Sequence, residues 1–355
     1  LKNNSKLLNE QESRQMEATI KIAVIGFGRM GQVYAHTIRQ IPGTELYAVA
    51  DPSEKARTSA QENYAVQKVA AEPLEVIGLP EVDAVIITTP TSTHSGLVIA
   101  AAQAGKAIFC EKPLALSLED SQAALDAVQK AGVPLQVGFM RRFDPAYQKA
   151  KALIEKGEIG FPVTFKAIGR DPFCPNPEFA DPAKSGGLII DMGIHDFDLA
   201  RWLVGSEVTR VSTEGTLLVC DVLKAIGDID NAVVNLRFAS GALGNVEVSR
   251  NAFYGYDIRT EILGSEGAIN IGVYQHTPVL LLTRNGAQHD VTPYLMERFG
   301  EAYRAQIQHF VDCLRNAKVP AVTGQDAVAA FEIGLAATRS YQTGRPVTLA
   351  ELRNL

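Results

Sequence analysis

The chain has 355 residues, 46% of them hydrophobic and 21% charged, with a formal net charge of −6. That length sets two domains as the expectation, and the acidic balance excludes a surface built for nucleic acid or anionic membrane. No apolar run reaches the roughly 18 residues of a bilayer-spanning helix, and Cys110, Cys174, Cys220 and Cys313 form no C-x-x-C pair, so reduced thiols in a cytoplasmic protein are expected and no metal site.

Residues 1–19 are polar and read as a flexible extension without evident function. Residues 21–25 are a short apolar run ending in glycines, the pattern of a buried parallel strand. A helical stretch follows to about residue 40, then apolar strands at 46–50, 84–87 and 107–110. Ser117 with Asp120 resembles a capping box for a helix reaching residue 130, and residues 135–139 supply another strand. Strands alternating with helices indicate βαβ units, so residues 20–142 are expected to form a doubly wound Rossmann domain.

The pattern changes in residues 143–355, which are expected to form an α+β substrate-binding and oligomerisation domain on a largely antiparallel open sheet. A helix at 145–156 precedes a strand at 163–168, a Pro-rich loop at 171–182 and a helix at 191–204. Ala232, Val234, Leu236 and Phe238 then alternate with polar residues, as do Val246 and Val248 after the Ser240-Gly241 turn. Arg284-Asn285-Gly286-Ala287 is a hairpin signal, and helices at 296–317 and 327–343 close the chain.

Gly26-Phe27-Gly28-Arg29-Met30-Gly31 is a G-x-G-x-x-G directly after the first strand and opening a helix. In that context Gly26 permits a tight turn, Gly28 lets backbone approach a pyrophosphate, and Gly31 lets helix and strand pack closely. Asp51 ends the second strand, 20 positions beyond Gly31, where a carboxylate accepts from an adenosine ribose 2′-hydroxyl. The same carboxylate repels a 2′-phosphate, which favours NAD over NADP, although Lys55 and Arg57 lie close enough in sequence to soften that repulsion.

Downstream, Lys112 follows the strand at 107–110, at the sheet edge where ligands of such folds bind. Asp191 and His195 are four residues apart and share a face if the segment is one helix; the alternative is that Asp191 merely caps it. An ammonium, a carboxylate and an imidazole beside a dinucleotide suit the oxidation of a secondary alcohol. His195 would take the hydroxyl proton, Lys112 would stabilise the oxygen as charge develops, and Asp191 would accept from a substrate hydroxyl. Arg142, in the tandem Arg141-Arg142, is a further candidate substrate contact.

The glycine fingerprint, Thr89-Pro90 with His94, Glu111-Lys112-Pro113, Asp191-x-x-x-His195 and Gly264-Ser265-Glu266-Gly267 occur in one order. In that order they resemble the Gfo/Idh/MocA oxidoreductases over about residues 20–345. Within that family the Asp-x-x-x-His spacing and the run 138–144 are most similar to inositol 2-dehydrogenases. The resemblance implies that Lys112, Asp191 and His195 are catalytic and that Thr89, Pro90, His94 and Glu111 line the nicotinamide end of NAD. It implies a cyclic polyol such as myo- or scyllo-inositol as substrate and a homo-oligomer, dimer or tetramer. Oxidation of an aldose at its anomeric carbon, an NAD-dependent glycosidase and a dinucleotide-sensing regulator remain alternatives, the last disfavoured by the presence of both lysine and histidine.

Overall fold

The computed structural model describes residues 19–272 and 275–353. The expected extension, apart from Thr19, lies outside the described residues. Strands β1 (Ile20–Ile25), β2 (Thr44–Ala50), β3 (Lys68–Ala70), β4 (Ala84–Ile87), β5 (Ala107–Cys110) and β6 (Leu135–Val137) form one sheet. All its pairings are parallel, in the order β3-β2-β1-β4-β5-β6. Helices cover both faces, which is why Ile22–Ile25 and Ala84–Ile87 are wholly buried and read as unbroken apolar runs. The short edge strand β3 has no such run and no sequence signal. Helix α1 (Arg29–Ile38) follows β1, and α2 (Leu118–Ala131) opens where the Ser117 side chain accepts from the Asp120 N–H.

The order reverses at β1, which has β2 on one side and β4 on the other. A crevice opens there at the carboxyl ends of the strands, the ligand position of doubly wound folds. The segments after β1, β4 and β5, carrying Gly26–Gly31, Thr89-Pro90 and Glu111–Pro113, all emerge at that edge.

A seven-stranded mixed sheet follows, built from β7 (Pro162–Arg170), β8 (Val208–Thr216), β9 (Asn231–Phe238), β10 (Leu243–Ser249), β11 (Asp257–Gly264), β12 (Ala268–Ile271) and, near the chain end, β15 (Val347–Thr348). Its order is β12-β11-β7-β10-β9-β8-β15, antiparallel except for the β7–β10 pair. Alternation along β9 buries Ala232, Val234, Leu236 and Phe238 on one face. The other face leaves Val233, Leu243 and Leu263 exposed. The hairpin signal is met by β13 (Leu281–Thr283) and β14 (Gly286–Gln288).

Where one helix was expected from residue 191, the chain makes two: α3 (Gly187–Asp191) and α4 (Ile194–Val204), broken at Met192-Gly193. Asp191 therefore ends a helix and does not cap one. Helix α4 lies beneath β7, where Gly169 has no side chain; a Cβ there would come within 3.0 Å of the Asp196 carboxylate. The long helices α5 (Leu295–Arg315) and α6 (Gly324–Thr343) return to the first sheet. Val322, Ala327, Ala330 and Phe331 share a core with β4 and β5 residues, and Gln136 on β6 donates to the Gln306 carbonyl on α5.

The expectation of four reduced thiols is overturned in part. Cys174 and Cys220 form a disulfide, while Cys110 and Cys313 are free and buried. The two half-cystines are 46 positions apart in sequence, but the loop after β7 and the segment after β8 bring their Cα atoms to 5.6 Å. No spacing rule in the sequence carries that proximity.

Candidate active site

The glycine turn is built as its spacing requires. Gly26 has φ +90°, a conformation that disfavours any Cβ, and a Cβ on Gly31 would fall 2.1 Å from the Gly26 carbonyl oxygen. At Gly28 nothing lies within 4 Å of a Cβ position. Gly28 is also the N-cap of α1 and offers no side-chain acceptor, so the first-turn N–H groups face open space. An anionic pyrophosphate fits that end of the helix, and with it a dinucleotide. Phe27 is buried against Tyr64, so only its backbone reaches the crevice, donating to Asp51 Oδ2 at 2.7 Å. Asp51 Oδ1 accepts from the Ser53 N–H at 2.8 Å. Arg57 spends its guanidinium on the Asp51 and Pro52 carbonyls, both at 2.8 Å. Arg29 is exposed on the first turn and Met30 is half-buried beside it.

At the other end of the crevice, His94 is buried with Nδ1 2.8 Å from the Pro113 carbonyl and Nε2 2.9 Å from the Thr89 carbonyl. Its ring staples the Thr89-Pro90 loop to the loop carrying Lys112. Burial pushes its pKa down, so it performs this task neutral, donating from one nitrogen at a time. Glu111 turns inward: Tyr34 donates its hydroxyl to Oε1, and the Lys112 N–H donates to Oε2. Burial raises the Glu111 pKa, against the pull of Tyr34 and Lys112.

Lys112 Nζ donates to the Asp191 carbonyl at 2.8 Å and to Asp191 Oδ1 at 3.2 Å. The other carboxylate oxygen, Oδ2, accepts from Arg250 Nη2 at 3.2 Å. His195 stands in the first turn of α4, 9% exposed, against the edge of the Phe139 ring, with Nδ1 buried and unpartnered. Burial drives its pKa well below the ordinary 6.5, and the charges of Lys112 and then Arg141 push the same way. Lys112 thus meets Asp191, and His195 lies near enough to feel the Lys112 charge, with the imidazole neutral at physiological pH.

Arg142 does not join them. Its guanidinium is buried against Asp198, at 2.8 Å through Nε, and reaches Asp326 at 3.0 Å in the capping box of α6. It ties α4 to α6 and gives nothing to the cluster. Of the tandem pair, Arg141 lies nearer the chemistry, holding Asp196 at 2.6 Å beside His195.

Two site residues had no sequence motif. Strands β7 and β10 are parallel and pair Arg170 with Ser249, so their next residues, Asp171 and Arg250, leave the sheet at the same edge. Asp171 has its pKa pushed up to about 6, first by burial and then by the Asp191 charge. A charge directly after a strand of alternating pattern is the sign each leaves in the sequence.

Residues 20–139 match the family described as the oxidoreductase family with NAD-binding Rossmann fold, and residues 151–349 match its C-terminal alpha/beta domain. The chain belongs to the Gfo/Idh/MocA family. It is 46% identical to scyllo-inositol 2-dehydrogenase (NAD(+)) of Bacillus subtilis (strain 168), over 94% of this chain and 97% of that one. Identity with the myo-inositol 2-dehydrogenase of Thermotoga maritima is 40%, covering 94% and 99%. Among solved structures, scyllo-inositol dehydrogenase from Lactobacillus casei with bound NAD(H) and scyllo-inositol superposes with a TM-score of 0.89 at 29% identity, over 94% and 99% of the two chains. Among the described residues of this chain, no helix is long and apolar enough to cross a membrane, and no cluster of side chains could hold a metal ion.

Proposed function

We propose that the protein is an NAD-dependent inositol 2-dehydrogenase, oxidising a ring hydroxyl of myo- or scyllo-inositol to the ketone. The observation that carries this reading is the contact of Lys112 with Asp191 beside a neutral, buried His195 at the crevice mouth. NAD, when bound, supplies a nicotinamide that accepts the hydride. The open space at Gly28, the uncapped start of α1 and the carboxylate of Asp51 would hold its pyrophosphate and ribose. Thr89, Pro90 and Glu111 sit on the loops that would frame its nicotinamide end.

The protein's own part is proton handling and charge. Neutral His195 offers a lone pair to the reacting hydroxyl and takes its proton as the carbon–hydrogen bond breaks. The Lys112 ammonium donates to the same oxygen and stabilises the charge that develops there. Asp191 accepts from a neighbouring hydroxyl and sets the ring's orientation. A site that satisfies several hydroxyls discriminates strongly against analogues that lack them. We infer a homo-oligomer, dimer or tetramer, the apolar residues on the open face of the second sheet supporting subunit contact.

The test is a panel of inositol isomers, aldoses and 2-hydroxy acids with NAD and NADP, followed by absorbance of the reduced cofactor. Inositols with NAD should give the highest kcat/KM, and Lys112→Ala should lower kcat by about 10²–10⁴-fold, the range for a group aiding proton transfer. Turnover of aldoses in preference to every inositol would move the substrate to a cyclic sugar oxidised at its anomeric carbon. Near-wild-type turnover by Lys112→Ala would remove the lysine from the chemistry.

A further inference from the structure

Arg250 is the largest fully buried side chain among the described residues, only 1% exposed. Its Nη2 donates to Asp191 Oδ2 at 3.2 Å, and its Nη1, 3.8 Å from Asp228 Oδ2, has no hydrogen-bond partner. Asp228 in turn accepts the Leu188 N–H at 3.1 and 3.2 Å, at the start of α3. Gly187 makes room for that carboxylate, since a Cβ there would come within 2.8 Å of Asp228 Oδ1. One guanidinium therefore grips both ends of a five-residue helix: Asp191 directly, and the opposite end through Asp228.

Burying a guanidinium is expensive, and a well-packed apolar residue of similar volume often serves stability as well or better. A purely structural account thus leaves the charge unexplained. The geometry of Asp191 explains it. With Lys112 as the sole cation, one carboxylate oxygen is held and the plane of the group is free to turn about its last torsion. Arg250 holds one oxygen while Lys112 holds the other, and two anchors fix the plane of the carboxylate.

We propose that Arg250 is a positioning residue for Asp191, fixing the plane of its carboxylate relative to Lys112 and the substrate, and that it acts on the reaction through Asp191. The proposal rests on the dehydrogenase reading above and adds to it a residue that no motif marks.

The experiment is a double-mutant cycle of Arg250→Met and Asp191→Asn, with Arg250→Lys and Arg250→Gln alongside, measuring kcat, KM for inositol and NAD affinity. Arg250→Met is expected to lose about 10²-fold in kcat, as small misplacements of an active-site group do. NAD affinity should stay within about twofold, and Arg250→Lys should recover to within about tenfold of wild type, since the charge but not the fork is restored. In the Asp191→Asn background, removing Arg250 should cost less than about twofold more, because residues acting as one unit are not additive. Wild-type kcat in Arg250→Met, or a full further loss in the Asp191→Asn background, would overturn the proposal. If Arg250→Met does not fold, Arg250→Gln and Arg250→Lys carry the same cycle. A crystal structure of the folded variant needs no substrate and keeps the two readings separable. A displaced Asp191 carboxylate is expected there, and an unmoved one would overturn the positioning role. If the wild-type protein oxidises no polyol, the dehydrogenase reading fails alone, and that crystal structure still decides Arg250.

Discussion

At the level of single residues, the imidazole of His195 sets the pH behaviour. Burial first, then Lys112 and Arg141, hold its pKa well below 6.5. A residue-specific NMR titration of the free protein should therefore find it neutral at pH 6.5 and above; protonation at 6.5 or higher would refute this. The depressed pKa also makes stability depend on pH. The unfolded chain takes up a proton near pH 6.5 that the folded imidazole refuses, so the contribution is complete above that pH and is lost as pH falls toward the depressed value. The sequence placed an imidazole here, because Asp-x-x-x-His after a dinucleotide motif is a chemical pattern. It could not place the pKa, which depends on Phe139 and Arg141 arriving from another segment. Arg142 shows the opposite error. A tandem arginine near the domain edge looks like a ligand fork, yet Asp198 and Asp326, far along the chain, claim it.

Elements explain why the cofactor end was more legible than the substrate end. The glycine fingerprint is local: strand, turn and helix are contiguous, and Gly26 and Gly31 answer contacts within that unit or with the neighbouring β4 loop, while Gly28 leaves open space. The substrate end is assembled from the break between α3 and α4 and from the parallel pairing of β7 with β10, neither of which has a local signal. Gly193 at the break has αR dihedrals, but a Cβ on it would meet the Ile189 carbonyl at 2.4 Å and the Phe197 ring at 3.1 Å. The contrast between Gly28 and Gly31 tests the local part. Gly31→Ala forces a methyl into the Gly26 carbonyl and should cost about 1–3 kcal/mol, the usual penalty for overpacking. Gly28→Ala meets no atom of the folded chain, so its thermal midpoint should barely move while NAD affinity falls, since the methyl occupies the space a pyrophosphate approaches. Unchanged NAD affinity in Gly28→Ala would show that the cofactor does not pass over this glycine.

For the whole molecule, two sheets joined through α5 and α6 hold the crevice and the substrate end in register. The sequence carried the classes of both sheets through their periods, near-continuous apolar runs in the first and alternation in the second. What it could not carry was contact at long separation, and the Cys174–Cys220 bond is the sharpest case. That bond joins the loop after β7, which follows Asp171, to the segment before Asp228, so it braces the two stretches that flank Arg250. Its chain separation is 46 residues, and closing a loop of that length restricts the unfolded chain by an amount worth about 4 kcal/mol on the chain-entropy account. Thiol titration of denatured, unreduced protein should therefore count only Cys110 and Cys313, and all four cysteines after reduction. The Cys174→Ser, Cys220→Ser double variant should unfold at lower denaturant concentration than the unreduced parent, and it should match the reduced parent. Four reactive thiols before reduction would show that the pair is not bonded in the purified protein, and the variant's stability would then owe nothing to a lost cross-link.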